Sequence, residues 1–256
     1  MRQVKQLGFT IIELLIVMVA ASLIMGLSFD FFWQYWQHAE KSQTDLNTFS
    51  DRLDTSDYIR FNVGSSSGLI AQNSIPDTNA NTPESAGSSY WQIIHPIPET
   101  ITTNSSSDQP ILYFKRLSQS SDKSFIFNGA VPYEDEYIMY LSREGQLRIR
   151  SLANLSASGN ALTTSCPPEQ VSSSCPVDKR LMSDVSSISP RYFSRSGNLL
   201  DYTPVWDPEL DAFVNGPDYP AVEVIELTIS IAKKADTQTT NTTQSGTIIR
   251  VALRNN

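Results

Sequence analysis

From Phe9 to Phe29 the chain runs for 21 residues with only Thr10, Glu13, Ser22, Gly26 and Ser28 breaking its apolar character. As a helix this run spans roughly 30 Å, the thickness of a bilayer's hydrocarbon core. A buried amphipathic helix of a soluble protein is the competing reading. It is disfavoured because such a helix keeps a polar face, and this run has none. Arg2 and Lys5 precede the run, and Asp30 and Glu40 follow it. That asymmetry predicts a cytoplasmic N-terminus and a body outside the membrane. Phe29, Phe31, Phe32, Trp33, Tyr35 and Trp36 come next, and aromatic rings collect at the headgroup level, so they mark the outer interface. Glu13 contradicts the pattern, since a carboxylate at the centre of a bilayer helix costs about 3 kcal/mol or more.

Three kinds of segment fit so far. One is a plain single-span anchor. A second is a secretory signal peptide, for which Ala20-Ala21-Ser22 offers a small-residue cleavage site. The apolar run continues through Leu23, Ile24, Met25 and Leu27, which is not how a signal peptide's apolar region ends. The third accounts for Glu13. Gly8-Phe9-Thr10-Ile11-Ile12-Glu13-Leu14 resembles the class III signal of type IV pilins and pseudopilins. Two positions depart from its commonest form: Leu7 stands where a polar or basic residue is usual, and Ile11 where Leu is frequent. Many major pilins also carry a proline within the mature helix, and residues 9–63 contain none.

The resemblance implies that a membrane-embedded prepilin peptidase cuts after Gly8 and that Phe9 becomes N-methylated. Residues 1–8 are then a leader, 9–29 a membrane and filament-core helix, 30–63 an amphipathic helix, and 64–256 an extracytoplasmic β-rich domain. It further implies that Glu13 of one subunit meets the Phe9 amine of a neighbour. In a low-dielectric filament core an unpaired charge is costly and an opposite one attracts strongly. The implied partners are other pilin subunits, the peptidase, an inner-membrane assembly platform, and lipid before assembly. The implied location is the cytoplasmic membrane, crossed once, and then an extracellular or periplasmic filament.

Past the membrane run, Phe32, Tyr35/Trp36, Ala39, Leu46, Phe49 and Leu53 recur at helical spacing, which predicts an amphipathic helix. Gly64 reads as its stop, and its second half is expected to lie against a sheet. Candidate strands are Tyr90–Ile94, Ile111–Lys115, Ser124–Phe127, Glu136–Leu141, Gln146–Ser151, Val222–Ala232 and Thr247–Leu253, with Ser142–Gly145 as a hairpin turn. Leu147 and Ile149 alternate with Arg148 and Arg150, and Ile225, Leu227, Ile229 and Ile231 alternate with polar residues. This parity describes an antiparallel sheet with one covered face. The predicted class is α+β, a long helix packed on an antiparallel sheet with a loop-rich insert near 153–220. The hairpin around residues 137–152 and the closing strand resemble larger minor pilins of the W type and J-type pseudopilins.

Other chemistry is thinly represented. Cys166 and Cys175 close a short loop, and an exported body favours a disulfide between them over a metal site. Gly64-Ser65-Ser66-Ser67-Gly68 matches a nucleophile-elbow pattern, but a helix precedes it where a strand is required. No catalytic residue, metal site or cofactor is expected. Acidic clusters at 134–136 and 201–218 read as solvated loops, with calcium as the sharper alternative. Tyr192, Phe193, Tyr202, Trp206 and Tyr219 read as core under the insert, with adhesion as the alternative. A net charge of −8 and scattered basic pairs (Lys115-Arg116, Lys179-Arg180, Lys233-Lys234) argue against nucleic-acid binding.

Overall fold

Helix α1 (Ile11–Gly64) is continuous over 54 residues; a proline would have removed a backbone donor from it, and it has none. The structure is a computed structural model describing residues 10–70, 72–78, 90–91, 100–103, 107–200, 205–207, 212–214, 221–231 and 245–253. The chain divides into two compact units, one ending at Ser50 and one beginning at Asp51. In the first unit every described side chain from Ile11 onward is exposed. The apolar stripe expected over residues 32–53 is exposed too: Phe32, Tyr35, Trp36, Leu46, Phe49 and Leu53 each keep more than half their surface. Burial begins at Thr55 and Ser56 and continues through Ile59, Asn62 and Val63, one face of the helix. Apolar spacing identified a helical face upstream but could not say what covers it.

The second unit is built of short antiparallel strands. In chain order they are β1 (Gly68–Leu69), β2 (Ile101–Thr102), β3 (Gln109–Leu117), β4 (Phe127–Asn128), β5 (Val131–Pro132), β6 (Glu134–Leu141) and β7 (Leu147–Leu152). Then follow β8 (Lys179–Met182), β9 (Val185–Phe193), β10 (Val205–Asp207), β11 (Ala212–Val214), β12 (Val224–Ile231) and β13 (Ser245–Ala252). They form a five-stranded sheet ordered β1-β3-β6-β7-β8, a four-stranded sheet ordered β13-β12-β9-β2, and two small ribbons. The fold is thus α+β, with two principal sheets instead of the single one expected. Of the candidate strands, Tyr90–Ile94 lies mostly outside the described residues, and Ser124–Phe127 contributes little more than Phe127.

Two apolar clusters hold this unit together. The larger joins Ile59 and Val63 of α1 to Leu112, Phe114, Met139 and Ile149 of one sheet and to Ile188, Leu227, Ile229, Ile249 and Val251 of the other. The smaller, Trp91, Tyr113, Ile138, Tyr140 and Leu152, lies on the opposite face of the five-stranded sheet. That sheet is therefore covered on both faces, which corrects the expectation of one. Arg148 is only 9 % exposed and Arg150 is fully buried. Thr55 donates to the Leu181 carbonyl at 2.5 Å, and Arg116 donates to Asn62 at 2.5 Å, so polar groups also tie the helix end to the strands.

The β6–β7 hairpin closes as its residues predict. Gly145 donates to the Ser142 carbonyl at 2.9 Å with φ +75°. A side chain there meets the Val185 carbonyl oxygen at 3.0 Å. Gly145→Ala is expected to cost about 1–2 kcal/mol from the left-handed backbone alone, read as a lowered urea midpoint of the full chain.

Candidate functional site

Two places concentrate polar chemistry: the start of α1 and the buried face of β7. Gly8 and Phe9 lie outside the described residues, so the first site begins at Thr10. The Thr10 carbonyl accepts from Leu14 N–H at 3.2 Å, which makes Thr10 the N-cap. Its hydroxyl accepts from Glu13 N–H at 3.3 Å, while its own N–H donates to Glu13 Oε2 at 3.0 Å. The Thr10 hydroxyl also donates to the same oxygen at 3.0 Å. This is a reciprocal capping box, Thr-x-x-Glu, in which two of the helix's otherwise unpaired N–H groups are satisfied. The Thr-x-x-Glu spacing is readable in the sequence, but there Glu13 reads as a break in the apolar run and an assembly residue, not as half of a cap. The carboxylate has a local role, since negative charge also suits the helix N-terminus. Both bonds to its carboxylate fall on Oε2; among the described residues none reaches Oε1.

Beyond this cap, the Leu14–Leu27 stretch of α1 presents apolar side chains on every face. Its large side chains from Ile11 to Leu27 are 55–82 % exposed. Ser22 and Ser28 donate back to the Val19 and Ile24 carbonyls at 2.8 and 2.7 Å, which hides their hydroxyls within the helix. A side chain at Gly26 meets nothing, so close approach of a second helix is sterically open there. The segment Ile11–Gln43 is long and apolar enough to cross a membrane.

The second site centres on Arg150. Its guanidinium donates to Asp77 at 2.6 Å and to Asp178 at 2.7 Å, with all three side chains buried. Trp91 Nε1–H donates to Asp77 at 2.6 Å; Tyr140 and Ser165 hydroxyls donate to Asp178 at 2.6 Å each. Arg150 also lies 5.1 Å from the Trp91 ring centroid, a cation–π contact. One cation thus faces two carboxylates, and neutral donors from three further residues share the excess negative charge. Burial works against the Arg150 charge, but the Asp178 hydrogen bonds and the two carboxylates outweigh it and raise its pKa. The Tyr140 hydroxyl is pushed up first by burial and then by Asp178. The cluster pins segments 73–77, 90–91 and 165–178 over the sheet.

The disulfide supplies the last of these segments. Cys166 and Cys175 are bonded, with Cα atoms 5.6 Å apart. Cys166 N–H donates to Pro176 and Asp178 N–H donates to Cys166, both at 2.8 Å. The bridge therefore brings Ser165 and Asp178, which flank it, together, and sets Asp178 on the Arg150 guanidinium. Replacing both cysteines by serine is expected to cost about 2–3 kcal/mol by restoring loop entropy to the unfolded chain. Equilibrium unfolding of oxidised chain and double variant measures it. Equal midpoints would refute the contribution.

The remaining candidates are dispersed. Ser66 of the elbow-like pattern is buried at the end of α1, with β1 after it instead of before it. Glu136 accepts from Ser74 and Ile75 N–H at 2.8 and 2.9 Å, and Asp135 from Asn154 N–H at 2.8 Å and the Asn160 side chain at 2.7 Å. These carboxylates fasten loops. No group of three potential metal ligands occurs among the described residues. Lys115 lies 3.7 Å from Glu134, and Lys179 stands 3.8 Å over the Tyr58 ring. Tyr192 is core, and Phe193 lies under Arg250. Tyr202, Tyr219, Lys233 and Lys234 fall outside the described residues, as does most of the 201–218 acidic cluster. No family model of known proteins matches this chain, and no curated protein matches it.

Proposed function

We propose that the chain is a minor pilin: cut after Gly8, N-methylated on Phe9, held in the cytoplasmic membrane by one span, and assembled into or priming a type IV filament with its body outside. The observation that carries this reading is a capped carboxylate, Glu13, at the head of a helical run, Ile11–Leu27, whose large apolar side chains are exposed on every face. Such a helix needs a hydrocarbon environment, first lipid and then other helices. The Gly8-Phe9 junction immediately before it is what a prepilin peptidase would read. The disulfide suits a body outside the reducing cytoplasm. No catalytic role is proposed. The test is deletion of the gene with filament shearing. Loss of surface filaments, restored by the wild-type chain and with the chain present in the sheared fraction, supports the pilus subunit. Intact filaments with lost exoprotein secretion would instead make it a J-type pseudopilin. Intact filaments with lost surface attachment would make it an adhesive tip subunit.

A further inference from the structure

Among the described asparagines, Asn47, Asn62, Asn73, Asn154, Asn160 and Asn198 each engage the side-chain amide in a hydrogen bond. Asn128 engages no described residue through its carboxamide, and it alone of these is followed by glycine. Asn128 closes β4, and Gly129 and Ala130 form a short loop to Val131, with which Asn128 pairs. All of these residues are exposed. Gly129 has φ +64°, and a side chain there would meet nothing within 4 Å. Its N–H donates to no described residue. A free carboxamide is therefore followed by a free backbone nitrogen that no side chain shields.

We propose that Asn128–Gly129 is a site of spontaneous deamidation. The Gly129 nitrogen gives its proton to water or hydroxide and attacks Asn128 Cγ. The new N–C bond closes a five-membered succinimide, while the Cγ–Nδ2 bond breaks and Nδ2 takes up a proton and leaves as ammonia. Water then adds to either ring carbonyl. Opening at Cγ leaves an aspartate in the normal chain. Opening at the main-chain carbonyl leaves isoaspartate, with the chain routed through Cβ and Cγ. Overall, water is consumed and ammonia released, so no oxidant or enzyme is required. Ring closure needs Asn128 to leave its extended backbone conformation, and the ribbon permits this. β4 and β5 pair only with each other, outside both principal sheets. At the base Tyr133 N–H donates to the Ile126 carbonyl at 2.9 Å, so at the tip only the Asn128–Val131 pair has to open. Isolated two-stranded ribbons are marginally stable in water, and such ends open at little cost. The product places a new carboxylate between the exposed Phe127 and Val131. As isoaspartate it also lengthens the backbone by a methylene, so the Asn128–Val131 pair loses its register. The inference stands apart from the filament reading.

The test holds the full chain in detergent in warm, mildly alkaline buffer and follows it by tryptic peptide mapping. Cleavage after Lys123 and Arg143 releases residues 124–143, in which Asn128 is the only side-chain amide. That peptide is expected to gain the mass of NH replaced by O and to be labelled by an isoaspartate-directed methyltransferase. Conversion should quicken as pH rises, because the attacking nitrogen must lose its proton. Asn62, Asn154 and Asn160 should convert about tenfold or more slowly, because their amides are held in hydrogen bonds. The same chain unfolded in guanidinium sets the unhindered rate, and native conversion at 124–143 is expected within about tenfold of it. Asn128→Gln, which could close only a six-membered ring, should abolish the conversion and keep the unfolding midpoint. No mass gain in 124–143, a gain without isoaspartate, or a native rate below that tenfold range would overturn the inference. So would a gain that persists at the wild-type rate in Asn128→Gln.

Discussion

Arg150→Met is expected to destabilise the body by about 3–5 kcal/mol, the usual cost of removing one partner from a buried ion pair. The size follows from what remains. Asp77 and Asp178 would stay buried without the guanidinium, while Asp77 keeps the Trp91 donor and Asp178 the Tyr140 and Ser165 donors. Loss of the cation–π contact with Trp91 adds to this. The ion cluster itself need not add net stability, because desolvation opposes it. A triple variant separates these statements. Arg150→Met with Asp77→Asn and Asp178→Asn keeps acceptors for the three neutral donors and removes both orphaned charges. It should recover more than half of the loss. Denaturant unfolding of the full chain in detergent, read by pulse proteolysis, measures both. A single-variant loss under about 1 kcal/mol, the range of an exposed pair, would mean that Arg150 is not buried as described.

Glu13 caps α1, and the proposed function gives it a second role in subunit register; two substitutions separate the two. Glu13→Ala removes both the charge and the reach-back bond to Thr10 N–H. Glu13→Gln removes the charge alone, because glutamine completes the same capping box. Both variants should insert into the membrane at least as well as wild type, since each deletes a charge from an apolar segment. Both should be cleaved, if the peptidase reads the Gly8–Phe9 junction. Filament incorporation is where charge matters. A neighbour's Phe9 ammonium left unpaired in a packed helical core would cost about 3–5 kcal/mol, so either variant should be depleted from sheared filaments by about a hundredfold or more. Incorporation of Glu13→Gln at wild-type level, with Glu13→Ala excluded, would assign Glu13 to capping alone. Wild-type incorporation of both would remove any register role, unless crosslinking finds neighbours on one side only, the signature of a subunit at the tip.

The parts of this structure that were readable from sequence are those in which local pattern and environment coincide. The apolar run of α1, the Ser142–Gly145 turn and the alternation in β12 and β13 each needed no knowledge of distant residues. Arg150 shows the limit. Parity placed it correctly on the face opposite Ile149, but parity does not say whether that face meets water. Loops from residues 73–77 and 165–178 cover it, and nothing local to β7 announces them. β9 escaped notice for another reason. Val185-Ser-Ser-Ile-Ser-Pro-Arg-Tyr-Phe is rich in serine and holds Pro190, which argues against an interior strand. The proline is tolerated because β2 pairs only with Ser187 and Ile188. The stripe at 32–53 reads as half of an interface, and an isolated chain does not show the other half. At the start of α1, Glu13 stands out because it puts a charge in the run, whereas Thr10, its partner in the cap, is one of several small polar interruptions like Ser22 and Ser28.

The claim on which the filament account rests is chemical: that the chain's functional N-terminus is made by cleavage after Gly8. N-terminal mass spectrometry of the native protein recovered from its membrane tests this most directly. The account predicts a chain beginning at Phe9 and carrying one methyl group on its amine, with Arg2 and Lys5 gone. A chain that begins at Met1, or near Leu23 after removal of a secretory signal, would contradict it.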